Sequence, residues 1–135
     1  MRLYYKIRNR ILEFRYELRT RCQRFIRGYA WSDVWDMDIW FMRTVKPMLT
    51  HLRDHGIGFP GEFYNEEGSR KQWEDILTEM INCMELMDKD NVERHLGIDL
   101  HDYSYESYKR VRDCMDENKN RFFELFSKYF YHLWD

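Results

Sequence analysis

Residues 3–28 read LYYKIRNRILEFRYELRTRCQRFIRG, and their spacing decides the fold class. Tyr4, Ile7, Ile11, Phe14, Leu18, Cys22 and Phe25 recur at steps of three and four, which puts them on one face of an α-helix. Gly28 supplies the stop, so a helix is predicted over 3–28. The charge of this segment is as distinctive as its period. Residues 1–28 hold nine basic and two acidic side chains, a net +7, and the remaining 107 hold 13 basic and 22 acidic, a net −9. At 100° per residue Arg8, Arg15 and Arg19 flank the apolar stripe on one side, while Lys6, Arg10, Arg21 and Arg24 lie toward the other. Arginines so placed either snorkel over a buried seam and pair with acids of the same fold, or meet phosphates, a partner or an anionic surface.

Working outward, the composition agrees with helix. Leu and Met together number 19 against 16 for Val, Ile and Thr, and six glycines with two prolines leave too few turns for an all-β chain. Ala30 is the single alanine, so helix contacts must be made by bulky side chains, with Met filling gaps. At 135 residues the chain suits one domain, taken as 1–135, and is large enough to bury a core without staples. Cys22, Cys83 and Cys114 are odd in number and in no paired spacing, which reads as reduced thiols. No apolar stretch reaches the length of a membrane span and the first residues lack a signal-peptide core, so a cytoplasmic protein is expected.

Ser32 is a candidate N-cap, with Asp33 in the first turn, for a second helix over 33–55. Val34, Met37, Phe41, Val45, Met48 and Leu52 line one of its faces, and Pro47 is expected to kink or split it near Val45. Residues 56–68 form a loop with four glycines and Pro60, whose Phe59, Phe63 and Tyr64 suggest that it packs back on the body. Ser69 with Gln72 is a capping box for a third helix over 70–87, buried through Trp73, Ile76, Leu77, Met80, Ile81, Met84 and Met87. Residues 88–103 read as a polar connector with at most one helical turn. A long helix follows over 105–133, capped by Ser104, with Tyr108, Val111, Met115, Phe122, Leu125, Phe126, Tyr129, Phe130 and Leu133 on its apolar face. The expected architecture is an all-α, four-helix bundle-like domain whose second helix is kinked at a proline.

The residues that carry chemistry give weak signals. His51 and His55 stand at i and i+4, the spacing of zinc-binding helices, but Leu52 occupies the place of the metalloprotease glutamate and no third ligand presents itself. Asp33, Asp36 and Asp38 are dispersed around a helix, so they make a poor magnesium cluster. Asp36, Trp40 and Arg43 lie along one edge and form a candidate contact surface. The cysteines fall on helical stripes and none adjoins a histidine, the serines are explained as caps, and no glycine-rich loop opens a helix after a strand. Tyrosines at Tyr103, Tyr105, Tyr108, Tyr129 and Tyr131 suit either a binding surface or a core with wet edges. No catalytic residue, metal or cofactor is predicted.

Three stretches carry a resemblance. They are Arg27-Gly28-Tyr29-Ala30-Trp31-Ser32-Asp33-Val34-Trp35-Asp36-Met37-Asp38, His55-Gly56-Ile57-Gly58-Phe59-Pro60, and the tail Leu125-Phe126-Ser127-Lys128-Tyr129-Phe130-Tyr131-His132-Leu133-Trp134-Asp135. With Trp73, Ile76-Leu77 and Met80-Ile81 they make the chain resemble a family of small proteins encoded by tailed phages and prophages. The resemblance supplies no functional residues. It implies expression in a bacterial host cytoplasm; together with the charge asymmetry, the abundant aromatics and the lack of catalytic groups, it points to a host protein, a defence component or another phage protein as partner. The leading expectation is therefore a non-enzymatic binding protein, an inhibitor or adaptor, with Arg8, Arg15 and Arg19 as its contact residues and Trp35, Trp40 and Arg43 as a second set. Nucleic-acid binding through the arginine-rich helix and a metal-dependent enzyme built on His51 and His55 are the alternatives. Self-association between the +7 helix and the −9 remainder is a further expectation.

Overall fold

The computed structural model describes residues 2–64, 67–98 and 104–134, with the side chains of residues 2–4 also outside the description. Tyr103, and the side chain of Tyr4 on the predicted stripe, therefore lie outside the described residues. The chain is all-helical: α1 spans Arg2–Arg27, α2 Met37–His55, α3 Ser69–Glu85, α4 Lys89–Leu96 and α5 Tyr105–Tyr129. Short 3-10 turns occupy Trp31–Val34, Gly61–Phe63 and Phe130–His132. No strand occurs among the described residues. The chain separates into two compact units, Met1–Arg43 and Thr44–Asp135, and the boundary falls within α2.

In the first unit α1 ends where the sequence predicts. Gly28 takes a left-handed φ of 78°, which costs glycine nothing, and its N–H reaches the Arg24 carbonyl at 2.9 Å. The predicted cap of the second helix is displaced. Ser32 lies inside the 3-10 turn, and Asp33 instead organises the corner by accepting the Ala30 N–H at 2.8 Å. Ala30 is buried at this corner.

The second unit holds the core. α3 contributes Trp73, Leu77, Met80, Ile81, Cys83 and Met84; α4 adds Val92; α5 adds Val111, Phe122, Leu125 and Tyr129. Trp73 meets Tyr129 edge-on at 5.4 Å and Glu79 pairs with Arg121, so α3 and α5 run antiparallel. Burying one such apolar side chain is worth about 1.5–3 kcal/mol, which makes this seam the main source of stability in the unit. Ile76 and Met87 are only half-buried, and Tyr108 and Phe130 at the ends of the α5 stripe are exposed.

Several expectations change. α2 runs unbroken through Pro47, so the split near Val45 does not occur: proline withholds one N–H, and the bonds on either side of it carry the helix on. Leu49 is its buried residue, whereas Met37 and Met48, predicted to face inward, are exposed. Ser69 does not cap α3. Gly68, at φ 80°, holds the N-cap position, and the Ser69 hydroxyl donates instead to the Phe63 carbonyl at 2.7 Å. The loop does pack back through Phe63, 6.2 Å from the Tyr129 ring, and through the Gly58 carbonyl, which accepts from Arg70 of α3 at 3.4 Å, while Tyr64 stays exposed. The predicted connector contains a fifth helix, α4. Its Asp88 cap accepts the Asn91 N–H at 3.1 Å, and Gly97 ends it at φ 63°. Ser104 caps α5 as predicted, accepting the Ser107 N–H at 3.1 Å.

Candidate functional site: the basic face of the first helix

The apolar stripe of α1, which the sequence allows either as a buried seam or as a binding face, is exposed. Ile7, Ile11, Phe14 and Leu18 are each more than half exposed, and Phe25 is 91% exposed with Ile26 beside it at 77%. Exposed apolar residues scattered singly are ordinary, but a continuous row along a helix marks an interaction surface.

The arginines on its flanks are only partly engaged by the protein's own acids. Arg8 lies over the Tyr5 ring at 4.9 Å, and Arg21 has Glu17 one turn back at 3.9 Å. Arg15 and Arg19 make no ion pair among the described residues. Among the described residues, the self-neutralising arrangement expected of a structural seam is thus absent along most of this helix. Phosphates, carboxylates or a π-face would satisfy such guanidinium groups.

The exception is Arg24, which grips Asp33 through two bonds, at 3.0 and 2.5 Å. The Gln23 side chain accepts the Trp31 N–H at 3.1 Å, so the corner is tied to the last turn of α1. The Arg24 guanidinium, and then the Ala30 N–H, pull the Asp33 carboxyl down from 3.8 to about 2. A depressed carboxyl stabilises the fold above the unfolded value and loses that contribution as pH falls through the folded one. The clamp is therefore expected to hold at every pH above about 4 and to open only as pH approaches about 2. A carboxyl NMR titration checks this: an Asp33 midpoint near 3.8 would mean that the clamp is not formed.

Of the second set of candidates, Trp35 is 89% exposed and Arg43 is exposed, while Trp40 lines a notch of about 270 Å³ with Tyr29, Asp33, Val34 and Met37. The six predicted contact residues do not converge on one point. Arg8 stands 16 residues, about 24 Å of helical rise, from the Arg24 that meets Asp33. Three of them lie on α1 and three beyond the corner at Gly28. Phe25 and Ile26, the most exposed apolar pair of α1, were not among them, though their place beside the stop at Gly28 was visible.

The remaining candidates lie in the second unit. The His51 and His55 rings stack at 4.5 Å with 22° between their planes, and Nδ1 of His55 is 3.3 Å from the His51 carbonyl. Among the described residues no group of three or more His, Cys, Asp or Glu gathers that could hold a metal ion. His51 also borders an apolar groove of about 640 Å³ between α2 and the end of α5, walled by Met48, Leu52, Phe126, Phe130 and Trp134. That wall offers no side-chain carboxylate, guanidinium or ammonium to orient a ligand.

Burial separates the thiols as well. Cys83 is buried, and burial, then the Glu79 charge, pushes its thiol up, so it is a poor nucleophile; Cys22 is exposed on α1. At neutral pH iodoacetamide is expected to modify Cys22 well before Cys83, as read by mass spectrometry. Equal rates would show that the α3 face is not closed.

No described helix is long and apolar enough to cross a membrane. No protein family, curated protein or solved structure matches the chain.

Proposed function

We propose that this is a non-enzymatic binding protein that docks a partner protein on the apolar and arginine-lined face of α1. The observation that carries the reading is the exposed row Ile7, Ile11, Phe14, Leu18 and Phe25, with Arg8, Arg15 and Arg19 along its edge. Water satisfies arginines at no cost but leaves a row of large apolar side chains unburied, so the row is what a partner relieves. The second unit, with its own core, serves as the folded body from which α1 acts. On the phage-like pattern of residues 27–38 and 125–135, the partner is a host or phage protein and the setting is the bacterial cytoplasm.

The test is capture from a nuclease-treated bacterial lysate by tagged wild-type protein and by Leu18→Glu. A protein retained by the first and lost by the second is the expected result. Retention by both would remove α1 from the function, and material lost entirely on nuclease treatment would replace a protein partner with nucleic acid.

A further inference from the structure

We infer that His51 and His55 chelate a divalent first-row transition ion, zinc being the reference case, as a two-ligand site at the end of α2. The site lies wholly within the second unit and is independent of α1. His55 is the last residue of α2, His51 stands one turn before it, and both are exposed. That spacing turns both side chains to one side of the helix, and their rings face each other at 4.5 Å with 22° between the planes. Two cationic imidazoles would suit the C-terminal end of a helix dipole, but at this separation they repel each other. Neutral imidazoles, the metal-binding form, do not.

The hydrogen bonding of His55 decides which nitrogen is free to ligate. Its Nδ1 lies 3.3 Å from the His51 carbonyl. A carbonyl oxygen only accepts, so Nδ1 carries the proton and Nε2 keeps its lone pair. Metal-bound histidines use this arrangement: the far ring nitrogen donates to a backbone carbonyl, which fixes the tautomer and makes the ligating nitrogen a stronger base. Here the helix supplies that carbonyl, from the residue whose own ring is the second ligand.

The surroundings leave the rest of the coordination sphere open. Asp54 is engaged by Arg53 at 2.7 Å, so it is not a third ligand. Its carboxyl is held below the usual range first by Arg53 and more weakly by His55 and His51, which places an anion near both rings. With no third ligand gathered among the described residues, the remaining positions fall to water or to a donor carried by another molecule. The donor type selects the ion: imidazole nitrogen suits zinc, nickel and copper, whereas magnesium and calcium demand oxygen. His51 also walls the apolar groove, so an ion held there stands at the edge of a hollow that otherwise has no charged side chain to orient a ligand.

The experiment uses the full chain, without a histidine tag, titrated with zinc chloride in a buffer free of phosphate and chelator. Calorimetry is expected to show zinc binding and no magnesium binding. His51→Ala and His55→Ala, both at exposed positions, are each expected to weaken zinc binding by at least about tenfold, with circular dichroism unchanged in the absence of metal. Nitrogen NMR of the imidazoles is expected to show zinc moving the Nε2 signals of His51 and His55 together while those of His95 and His132 stay in place. Cys22→Ser removes the exposed thiol, which could itself take zinc, and is expected to leave the affinity as it was. No zinc binding, binding that survives both histidine substitutions, or binding lost with Cys22→Ser would overturn the inference.

Discussion

Trp73→Ala is expected to cost the second unit about 3–5 kcal/mol and to lower its melting midpoint by more than about 10 °C. Trp73 has no exposed surface, and it sits where the first turns of α3 meet the end of α5, edge-on to Tyr129. Removing the indole leaves a cavity between two antiparallel helices that also share Leu77, Phe122 and Leu125, and rigid packing of this kind closes up only in part. The indole N–H has no acceptor among the described residues, so part of the burial is spent on an unpaired donor. Trp73→Phe, which removes that donor and keeps most of the ring, is expected to cost distinctly less. Trp35→Ala is the control: its side chain is 89% exposed, and its loss should change stability by less than about 0.5 kcal/mol. Thermal unfolding followed by circular dichroism separates the three, and an equal effect at Trp73 and Trp35 would contradict the placement of the core.

Leu18→Glu is expected to do the opposite, leaving stability within about 0.5 kcal/mol of wild type while weakening partner binding by about 30-fold or more. Leu18 is more than half exposed at the middle of the α1 row, with Phe14 one turn before it and Arg15 at its edge. A carboxylate there is hydrated in the free protein and stripped of water in the complex. Glutamate is a good helix former, so α1 itself is kept. The arginines add a second lever of smaller size, because exposed charges act more on association rate than on the lifetime of the complex. Arg15→Gln and Arg19→Gln are therefore gentler changes than Leu18→Glu at the same face.

Element type was legible wherever periodicity was long. α1, α3 and α5 each carry an apolar stripe over four turns or more, and their ends at Gly28 and Ser104 follow from local chemistry that nothing distant overrides. α4 was not legible as a helix because Val92 is its single buried apolar residue, although Asp88 and Gly97 bracket it as cap and stop. The misplaced caps have tertiary causes. Ser69 is drawn to the Phe63 carbonyl across the loop, and Asp33 is held by an arginine nine residues earlier, so neither partner shows in the local pattern. What the sequence leaves open lies in α1, whose stripe could be a covered seam or a contact face. Periodicity says which side of a helix is apolar; it says nothing of what lies against it, and the same pattern serves a core or a docking face. The signal that leaned toward docking was the excess of arginine, nine basic side chains against two acids over 28 residues, more than the segment's own carboxylates can neutralise.

The most direct test of α1 as a docking face rather than a structural helix is to measure melting and partner capture on one preparation of Leu18→Glu. An unchanged midpoint with capture lost is the predicted result. A midpoint lowered as far as that of Trp73→Ala, or capture equal to wild type, would contradict it.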